Sequence, residues 1–328
     1  MARTKPEPGR TARVPIIHRM PHVRPAAAGF RRVAAAAACV LFALLTLPGI
    51  AAAGGGRVLD ILLTNDDGFQ APGIRALHAA LQAAGHRVTM VAPRENQSGS
   101  SARISTGPVR YREEGPGVWA VDGSPADAVA VGLQVIMGEH LPDLVVSGAN
   151  FGHNVGATAN VSGTVGAALI AEYLGVPAVA VSVGMDFAEK SLGPTPFPST
   201  VAAFPAAAAF TVDLVATLAD AAGDGPVLPP DAVLNVNYPV RPAGAPKGVR
   251  FAENGRYSAF SFDYVPTGAP NEVKLAFTDE TAREPDPNAD TTLFAAGYVT
   301  ITVLDGELAA NDEPERVAGE RLRKLLQR

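Results

Sequence analysis

Two hydrophobic periods alternate along the chain, and each change of period marks a change from strand to helix. Continuous apolar runs predict buried strands at 57–64, 86–93, 142–150, 178–183 and 232–239, with irregular strands at 109–121. Apolar residues three and four apart predict helices at 71–84, from 124 onward, at 162–174 and at 202–221. Strands that alternate with helices are typical of a parallel sheet with helices on both faces. We therefore predict a doubly wound, Rossmann-like α/β fold with a mostly parallel sheet.

Two of the predicted helices have distinct N-terminal sequences. Pro72 stands in the first turn of one, where the N–H that proline lacks has no helical partner anyway. In the other, Ser124 precedes Asp127 by three residues, which is the spacing of a capping box. These residues predict where the two helices begin.

The pattern changes near residue 240. Short alternating stretches at 248–254, 272–278 and 297–304, separated by Pro and Gly, predict strands of β-hairpins. A charged segment at 313–326 predicts a short final helix. We therefore predict a core at 57–240 and a smaller, β-hairpin-rich C-terminal extension at 241–328.

The first 53 residues have the composition of a targeting segment. Eight basic residues and one acidic residue precede an uncharged apolar run, Val33–Ala53, that ends in three alanines. This order predicts a secretory signal peptide at 1–53 and export to the periplasm or the exterior, whether synthesis starts at Met1 or Met20. An uncleaved membrane anchor is the alternative, because the run is marginally long enough to span a bilayer. After cleavage we expect no stable membrane association.

Removing that segment changes the charge of the protein. The whole chain carries a net charge of −5, whereas residues 54–328 have 19 basic and 31 acidic residues, a net charge of −12. Such a surface repels phosphate backbones, so we expect no binding to nucleic-acid polymers. Cys39 is the one cysteine, and it lies in the predicted signal. The remaining chain therefore has neither a disulfide nor a thiolate metal site.

Three polar loops follow predicted strands whose carboxyl ends should meet at one edge of the sheet, where ligands bind in such folds. They lie at 64–68, 94–101 and 147–156. The first holds Asp66 and Asp67, which cannot both stay ionised at close range without a cation. Oxygen ligands without a Cys or His cluster favour Mg²⁺, Mn²⁺ or Ca²⁺ over zinc. Taken alone, the doublet is also compatible with a simple Asp-Gly turn.

The third loop also has features of an anion site. It contains Gly148, Gly152 and Gly156, and a predicted helix begins just beyond it at Ser162. Glycines let backbone N–H groups approach an anion, and a helix N-terminus favours negative charge. A flexible connector is the alternative reading of this loop.

Several segments resemble successive motifs of the SurE family of survival-protein phosphatases. They are ILLTNDDGFQAPGIRAL, VAPRENQSGSSARIS, VDGSPADAV, PDLVVSGANFGHNVG, SGTVGAALIAEYLGVPAVAVS and, later, GYVTIT. The likeness covers roughly residues 57–185 and returns at 297–302. It implies a Rossmann-like core, a hairpin extension with a role in oligomerisation, and a homodimer or homotetramer.

The resemblance also implies one divalent metal ion, Mg²⁺ or Mn²⁺, per subunit and no organic cofactor. The metal ligands would be Asp66, Asp67, Ser98 and Asn150. We expect metal-dependent hydrolysis of nucleoside 5′- or 3′-monophosphates, a small-molecule substrate. The catalytic residues would be Asp66, Asp67 and Asn96, and the phosphate would contact Gly148, Asn154, Ser162, Gly163 and Thr164.

Three other functions are alternatives for a chain with this pattern. A nicotinamide dehydrogenase should carry G-x-G-x-x-G after its first strand, and the chain does not. A zinc amide hydrolase needs histidines near the doublet, whereas His78 and His86 belong to the first helix and its exit. A non-catalytic nucleotide-binding protein stays open. Some positions depart from the family pattern and should shape substrate preference. They are Val161, where the family usually has tyrosine, and the segments 186–200 and 240–295.

Overall fold

The computed structural model describes residues 56–189, 197–229, 231–241, 244–279, 283–306, 317 and 320–322. The predicted signal at 1–53 and most of the predicted helix at 313–326 lie outside these residues. The helices are α1 (Pro72–Ala83), α2 (Pro125–Val131), α3 (Gly163–Tyr173), α4 (Pro198–Ala222) and α5 (Asp290–Ala295). The strands are β1 (Asp60–Thr64), β2 (Arg87–Pro93), β3 (Tyr111–Gly115), β4 (Val118–Val121), β5 (Leu144–Phe151), β6 (Ala178–Val183), β7 (Val233–Tyr238), β8 (Val249–Phe251), β9 (Phe260–Pro266), β10 (Val273–Asp279) and β11 (Val299–Leu304).

The main sheet has nine strands in the order β3-β4-β2-β1-β5-β6-β7-β11-β8. The six strands from β4 to β7 run parallel, while β3 and β11 are antiparallel to their inner neighbours. From β1 the chain builds outward to β2 and β4, and then returns to add β5, β6 and β7 on the other side. The sheet therefore has a topological switch point between β1 and β5. The predicted fold class is confirmed.

Alternate residues of β1 face different helical layers, as expected for a strand buried on both sides. Ile61 and Leu63 pack in a cluster with α1 and α4, whereas Leu62 packs with α2 and α3 on the opposite face. All three side chains are fully buried. This burial fixes the register of β1 and, with it, the position of the polar loop that follows the strand.

Both predicted helix starts are confirmed. Pro72 is the first residue of α1. At α2 the Ser124 hydroxyl accepts from the Asp127 N–H at 3.0 Å, and the Asp127 carboxylate accepts from the Ser124 N–H at 2.8 Å. A capping box of this kind stabilises a helix by about 1 kcal/mol.

The structure extends the predicted helix at 202–221 to Pro198–Ala222, with Pro205 inside it. It begins earlier because Pro198 is tolerated in the first turn. Its side chains Phe204, Ala207 and Val215 are buried in the core cluster shared with α1. Among the described residues, α4 is the one helix that is long and apolar enough to cross a membrane. This is weak evidence for a membrane span, because buried core helices meet the same criteria.

The predicted division after residue 240 is not a division of the sheet. β11 pairs antiparallel with β7, and β8 pairs parallel with β11, so both extend the core sheet. The separate hairpin consists of β9 and β10 alone. The reason is that β7 would otherwise be an uncovered edge, and the buried side chain of Val299 completes the core there. The structure adds β9 and α5, which the sequence pattern did not predict.

Candidate metal and phosphate site

Asp66 lies just beyond the end of β1, at the switch point between β1 and β5, with 3% of its surface exposed. Its Oδ1 accepts a hydrogen bond from the Thr164 hydroxyl at 2.7 Å. Backbone N–H groups of Gly163 and Thr164 also favour its ionised form. Burial nevertheless outweighs these donors and raises the pKa of Asp66.

The Asp67 carboxylate is held by two donors from different loops. Its Oδ2 accepts from the Phe151 N–H at 2.8 Å, and its Oδ1 accepts from the Asn96 amide at 3.4 Å. Burial, followed by the negative charge of Asp66, raises the pKa of Asp67 to about 7. The doublet thus creates a local demand for positive charge, either a proton or a cation.

The second predicted loop packs directly against the doublet. The Gln97 N–H donates to the Asp66 carbonyl at 2.7 Å, and the Ser98 N–H donates to Asn96 Oδ1 at 2.9 Å. Asn96 therefore contacts Asp67 and also shapes the turn that carries Ser98. Ser98 lies on the exposed side of this turn.

The third loop brings Asn150 to the same place. Its Nδ2 donates to the Gly152 carbonyl at 2.7 Å, so Oδ1 is the atom left as an acceptor. Asn150 is buried, and its neighbour Phe151 provides the N–H that holds Asp67. The structure thus brings the three predicted loops together around Asp66 and Asp67.

Two residues expected to contact phosphate make other contacts in the structure, and their contact with phosphate stays a prediction. The Asn154 amide donates to Ser182 Oγ at 2.9 Å, inside the sheet, and its backbone N–H donates to Asn237 at 2.7 Å. Gly148 lies in β5, where a Cβ atom would overlap the Val181 carbonyl oxygen. Both residues pack the loop and its strand against β6 and β7, because this buried backbone has to satisfy its polar groups within the protein.

The start of α3 lies against a carboxylate of the protein itself. Ser162 Oγ accepts from the Val165 N–H at 3.2 Å and caps the helix. Gly163 and Thr164 direct their donors at Asp66. A carboxylate of the protein itself thus lies where a phosphate was expected, and it gains the same stabilisation from the helix N-terminus. A direct phosphate contact by these three residues stays a prediction.

Ser100 was not singled out from the sequence. Its hydroxyl is buried and has no hydrogen-bond partner within the described part of the chain. It lies beside Gly163, where a Cβ atom would be 2.7 Å from Ser100 Oγ and 2.9 Å from Asp66 Oδ2. An unsatisfied buried hydroxyl is costly, so its place beside a carboxylate fits a ligand oxygen or cation. The repeated serine in "SGSS" was the available clue.

These residues fit a hard divalent cation. They offer two carboxylates, the amide oxygen of Asn150 and serine hydroxyls, which is the oxygen chemistry that Mg²⁺ and Mn²⁺ prefer. Across the described ranges, no group of three or more His, Cys, Asp or Glu side chains is arranged to hold a metal. His86 accepts from the Leu59 N–H at 3.3 Å, near the opposite end of β1 from the doublet. The described residues therefore give no support to a histidine-based zinc site.

A cavity of about 440 Å³ lies beyond the ends of β6 and β7. Its walls include Met185, Phe187 and Phe294, and the cationic side chains Arg241 and Lys247 also line it. Met185 connects the cavity to the third loop, since a Cβ atom on Gly152 would be 3.2 Å from the Met185 methyl group. The volume is within the usual range for small-molecule sites.

Comparison with known proteins identifies the family. The sequence pattern of the family described as survival protein SurE matches residues 61–260. The chain belongs to the SurE family. This membership confirms the resemblance that the motifs indicated.

Individual SurE relatives extend over most of the chain. A protein of Burkholderia lata named 5′-nucleotidase SurE 1 is 34% identical over 250 residues, covering 75% of this chain and 90% of the relative. The 5′-nucleotidase SurE of Desulfatibacillum aliphaticivorans is 43% identical over 202 residues, 60% of this chain and 72% of that protein. The crystal structure of the SurE protein from Aquifex aeolicus aligns with a TM-score of 0.63 at 30% identity, covering 82% of this chain and 100% of that one.

Proposed function

We propose that this SurE-family chain is a phosphomonoester hydrolase that removes phosphate from nucleoside 5′-monophosphates. Nucleoside 3′-monophosphates are the proposed second substrate class. The proposed reaction depends on one Mg²⁺ or Mn²⁺ ion per subunit. The main supporting observation is the doublet of buried Asp66 and half-buried Asp67, on which three loops converge at the sheet's switch point. Family membership supports the reaction class, since its relatives include proteins named 5′-nucleotidase.

The proposed ligands are Asp66, Asp67, Asn150 and Ser98. When bound, the ion lowers the pKa of a water molecule and offsets charge on the phosphoryl oxygens. The protein holds the ligands in advance, because Thr164 orients Asp66, Phe151 and Asn96 orient Asp67, and Gly152 orients Asn150. Such support from surrounding groups tightens metal binding and raises activity.

Phosphate binding is proposed next to the Ser98–Ser100 turn. The donors at the start of α3 already hold Asp66, and the Asn154 amide is committed to Ser182. The buried hydroxyl of Ser100, beside Gly163 and Asp66, and the exposed side chain of Asn96, which contacts Asp67, are neutral donors in this turn. Neutral donors stabilise a developing phosphoryl charge without competing with the cation.

The cavity beside Met185 is proposed to receive the nucleoside. Phe187 and Phe294 offer aromatic and apolar surface for a base, and Arg241 and Lys247 provide positive charge. Contact between Met185 and the Gly152 backbone places the cavity next to the loop that carries Asn150. This arrangement of an apolar cavity beside a few polar groups is usual for small-molecule sites.

A phosphate-release assay tests the proposal. The purified protein is incubated with adenosine 5′-monophosphate or 3′-monophosphate and Mn²⁺ or Mg²⁺, with and without chelator. We expect release that chelator abolishes and that Asp66→Asn removes, while Asp263→Asn, an exposed change on β9, leaves it intact. Nucleotide binding without phosphate release would favour the non-catalytic alternative.

We also propose assembly into a homodimer or homotetramer through the β9–β10 hairpin. One face of the hairpin carries Phe262, Tyr264 and Leu275, which are 49%, 69% and 44% exposed. Tyr264 and Leu275 are cross-strand partners, so these side chains form a continuous apolar patch. Such patches mark interaction sites on proteins of this size, and a second copy would cover this one.

Export is proposed from the first 53 residues alone. N-terminal sequencing of the protein recovered from a cell fraction tests it: a mature chain that begins near Gly54 in the periplasm or medium is expected. A full-length chain retained in the membrane would favour the anchor.

A further inference from the structure

Asp290 is a fully buried carboxylate that joins two distant parts of the chain. Both of its oxygens accept from the Gly156 N–H at 3.0 Å, although 134 residues separate the two positions. Oδ1 also accepts from the Gly255 N–H at 2.9 Å and the Thr291 N–H at 2.7 Å. Three backbone donors thus offset part of the cost of burying this carboxyl group, although burial still raises its pKa.

Two glycines make this arrangement possible. Gly156 has a φ of 57°, and a Cβ atom there would overlap the Tyr257 carbonyl oxygen. At Gly255 a Cβ atom would be 2.6 Å from Thr291 Oγ1. A side chain at either position would push the backbone donor away from the carboxylate, so the contact depends on the absence of a side chain on both.

Gly156 lies midway between two parts of the proposed metal site. Upstream in the same loop is Asn150. Downstream, a short 3₁₀ turn at Gly156–Val161 leads directly to Ser162, the cap of α3, whose next two residues hold Asp66. A shift of Gly156 would therefore displace both the third loop and the donors that orient Asp66.

An independent contact holds the same loop from the same side. The His153 ring is 4.7 Å from the Phe294 ring and 5.5 Å from the Phe260 ring, measured between centroids. Phe294 belongs to α5 and Phe260 begins β9. Phe260 and Phe294 thus contact the loop through packed rings at His153, and Asp290 contacts it through its carboxyl oxygens at Gly156.

We propose that Asp290 is a positioning residue: by anchoring Gly156 it fixes the Asn150–Gly156 loop and so sets the affinity of the site for its divalent ion. This inference rests on the metal centre of the proposed function. Asp290 contacts neither the doublet nor Asn150 in the hydrogen bonds described above, so it acts through the backbone of the loop.

Two neighbouring substitutions separate positioning from simple loss of stability. In Asp290→Asn one of the two carboxylate oxygens becomes an NH₂ group. Because both oxygens contact the Gly156 N–H, this NH₂ group faces another hydrogen-bond donor and cannot accept from it. Thr291→Val removes a hydroxyl from the same buried cluster but leaves the acceptor of Gly156 in place. Both variants should unfold at lower temperature than the original protein.

Calorimetric titration with Mn²⁺, on variants shown to be folded by circular dichroism, decides between the two roles. We expect Asp290→Asn to bind Mn²⁺ at least tenfold more weakly, and Thr291→Val to bind within twofold of the unsubstituted protein. Equal affinities in Asp290→Asn and the unsubstituted protein, or equal losses in both variants, would overturn the proposal.

Hydrogen exchange on the unsubstituted protein keeps the proposal testable if Asp290→Asn does not fold. Coupling between two sites is reciprocal, so an anchor that assists Mn²⁺ binding must itself be stabilised by Mn²⁺. We expect added Mn²⁺ to slow exchange in peptides covering 253–257 and 289–295 as well as 150–156. Protection confined to the loops around the doublet would overturn the coupling while leaving the metal centre intact. Failure of the unsubstituted protein to bind Mn²⁺ would overturn both.

Discussion

The hydroxyl of Thr164 donates to the carboxylate of Asp66 at 2.7 Å, across 98 residues of sequence. The bond joins the start of α3 to the end of β1, so the helix N-terminus stabilises a buried carboxylate of its own chain. In many α/β proteins the same donors hold a phosphate of the ligand. Here the described partner of these donors is Asp66, a carboxylate of the protein itself.

The first prediction concerns that bond. Thr164→Val keeps the shape of the side chain but removes the donor, leaving an acceptor of Asp66 unsatisfied at a cost of about 1.5–3 kcal/mol. We expect kcat/KM for adenosine 5′-monophosphate to fall about tenfold or more. Thr164→Ser keeps the hydroxyl and should stay within a few-fold of the original activity. Equal activity of the valine and serine variants would contradict this role for the hydroxyl.

The second prediction follows from the raised pKa of Asp67, about 7 against an ordinary value of 3.8. Because the folded protein holds this proton more tightly than the unfolded chain, protonated Asp67 stabilises the fold. This contribution is complete below pH 3.8 and is lost as the pH rises through about 7. In chelator, Asp67→Asn should therefore raise the free energy of unfolding at pH 8 by roughly 1–2 kcal/mol, discounted for partial exposure, with little gain at pH 4. Urea unfolding at both pH values measures the difference.

Metal binding should depend on the same proton. A cation and a proton compete for Asp67, so the affinity for Mn²⁺ should fall as the pH drops below about 7. Between pH 8 and pH 6 we expect roughly a tenfold weakening, measured by calorimetric titration. An affinity that is constant over this range would show that Asp67 is already ionised in the metal-free protein.

The fourth prediction tests the contact between α1 and β5. Alanine is normally favoured over glycine within a helix by about 1 kcal/mol. At Gly73, however, a Cβ atom would overlap the Ala149 carbonyl oxygen and lie 2.8 Å from the Phe204 ring. Gly73→Ala should therefore lower the free energy of unfolding by about 2–4 kcal/mol. Gly107→Ala, where nothing lies within 4 Å, is the matched control and should change it by less than about 0.5 kcal/mol.

The hairpin patch gives a prediction on assembly. Tyr264→Glu places a charge in the centre of the exposed apolar face and should shift the protein to smaller species in light scattering coupled to size exclusion. Lys274→Glu is the control, because Lys274 pairs with Val265 and points to the other face of the hairpin. An unchanged mass for Tyr264→Glu would place the subunit contact elsewhere.

The core of the fold was predictable because each buried strand has its own hydrophobic pattern. Leu62 and its neighbours are apolar on both faces, which only a sheet between two helical layers can bury. The Ser124–Asp127 capping box was equally predictable from the sequence, because both partners lie within one helical turn. The convergence of the polar loops followed from the parallel order of the strands.

The parts that the sequence did not predict depend on distant pairing. Nothing near Thr164 indicates that its partner would be Asp66 instead of a ligand, and nothing near Asn154 indicates that its amide would turn inward to Ser182. The positions of β8 and β11 depend on the open edge of β7, which local periodicity does not reveal. Asp290 lies in a short helix of six residues, too short for a periodic pattern.

The late position of Asp290 in the chain has a consequence for biosynthesis. As the polypeptide leaves the ribosome, the doublet and its three loops emerge first, and the residue that anchors Gly156 follows 134 positions later. The outer edge of β7 likewise stays unpaired until β11, which is synthesised later, pairs with it. A chain that lacks its last third therefore lacks the carboxyl group that holds Gly156, so this loop can reach its final arrangement only after residue 290 has been added.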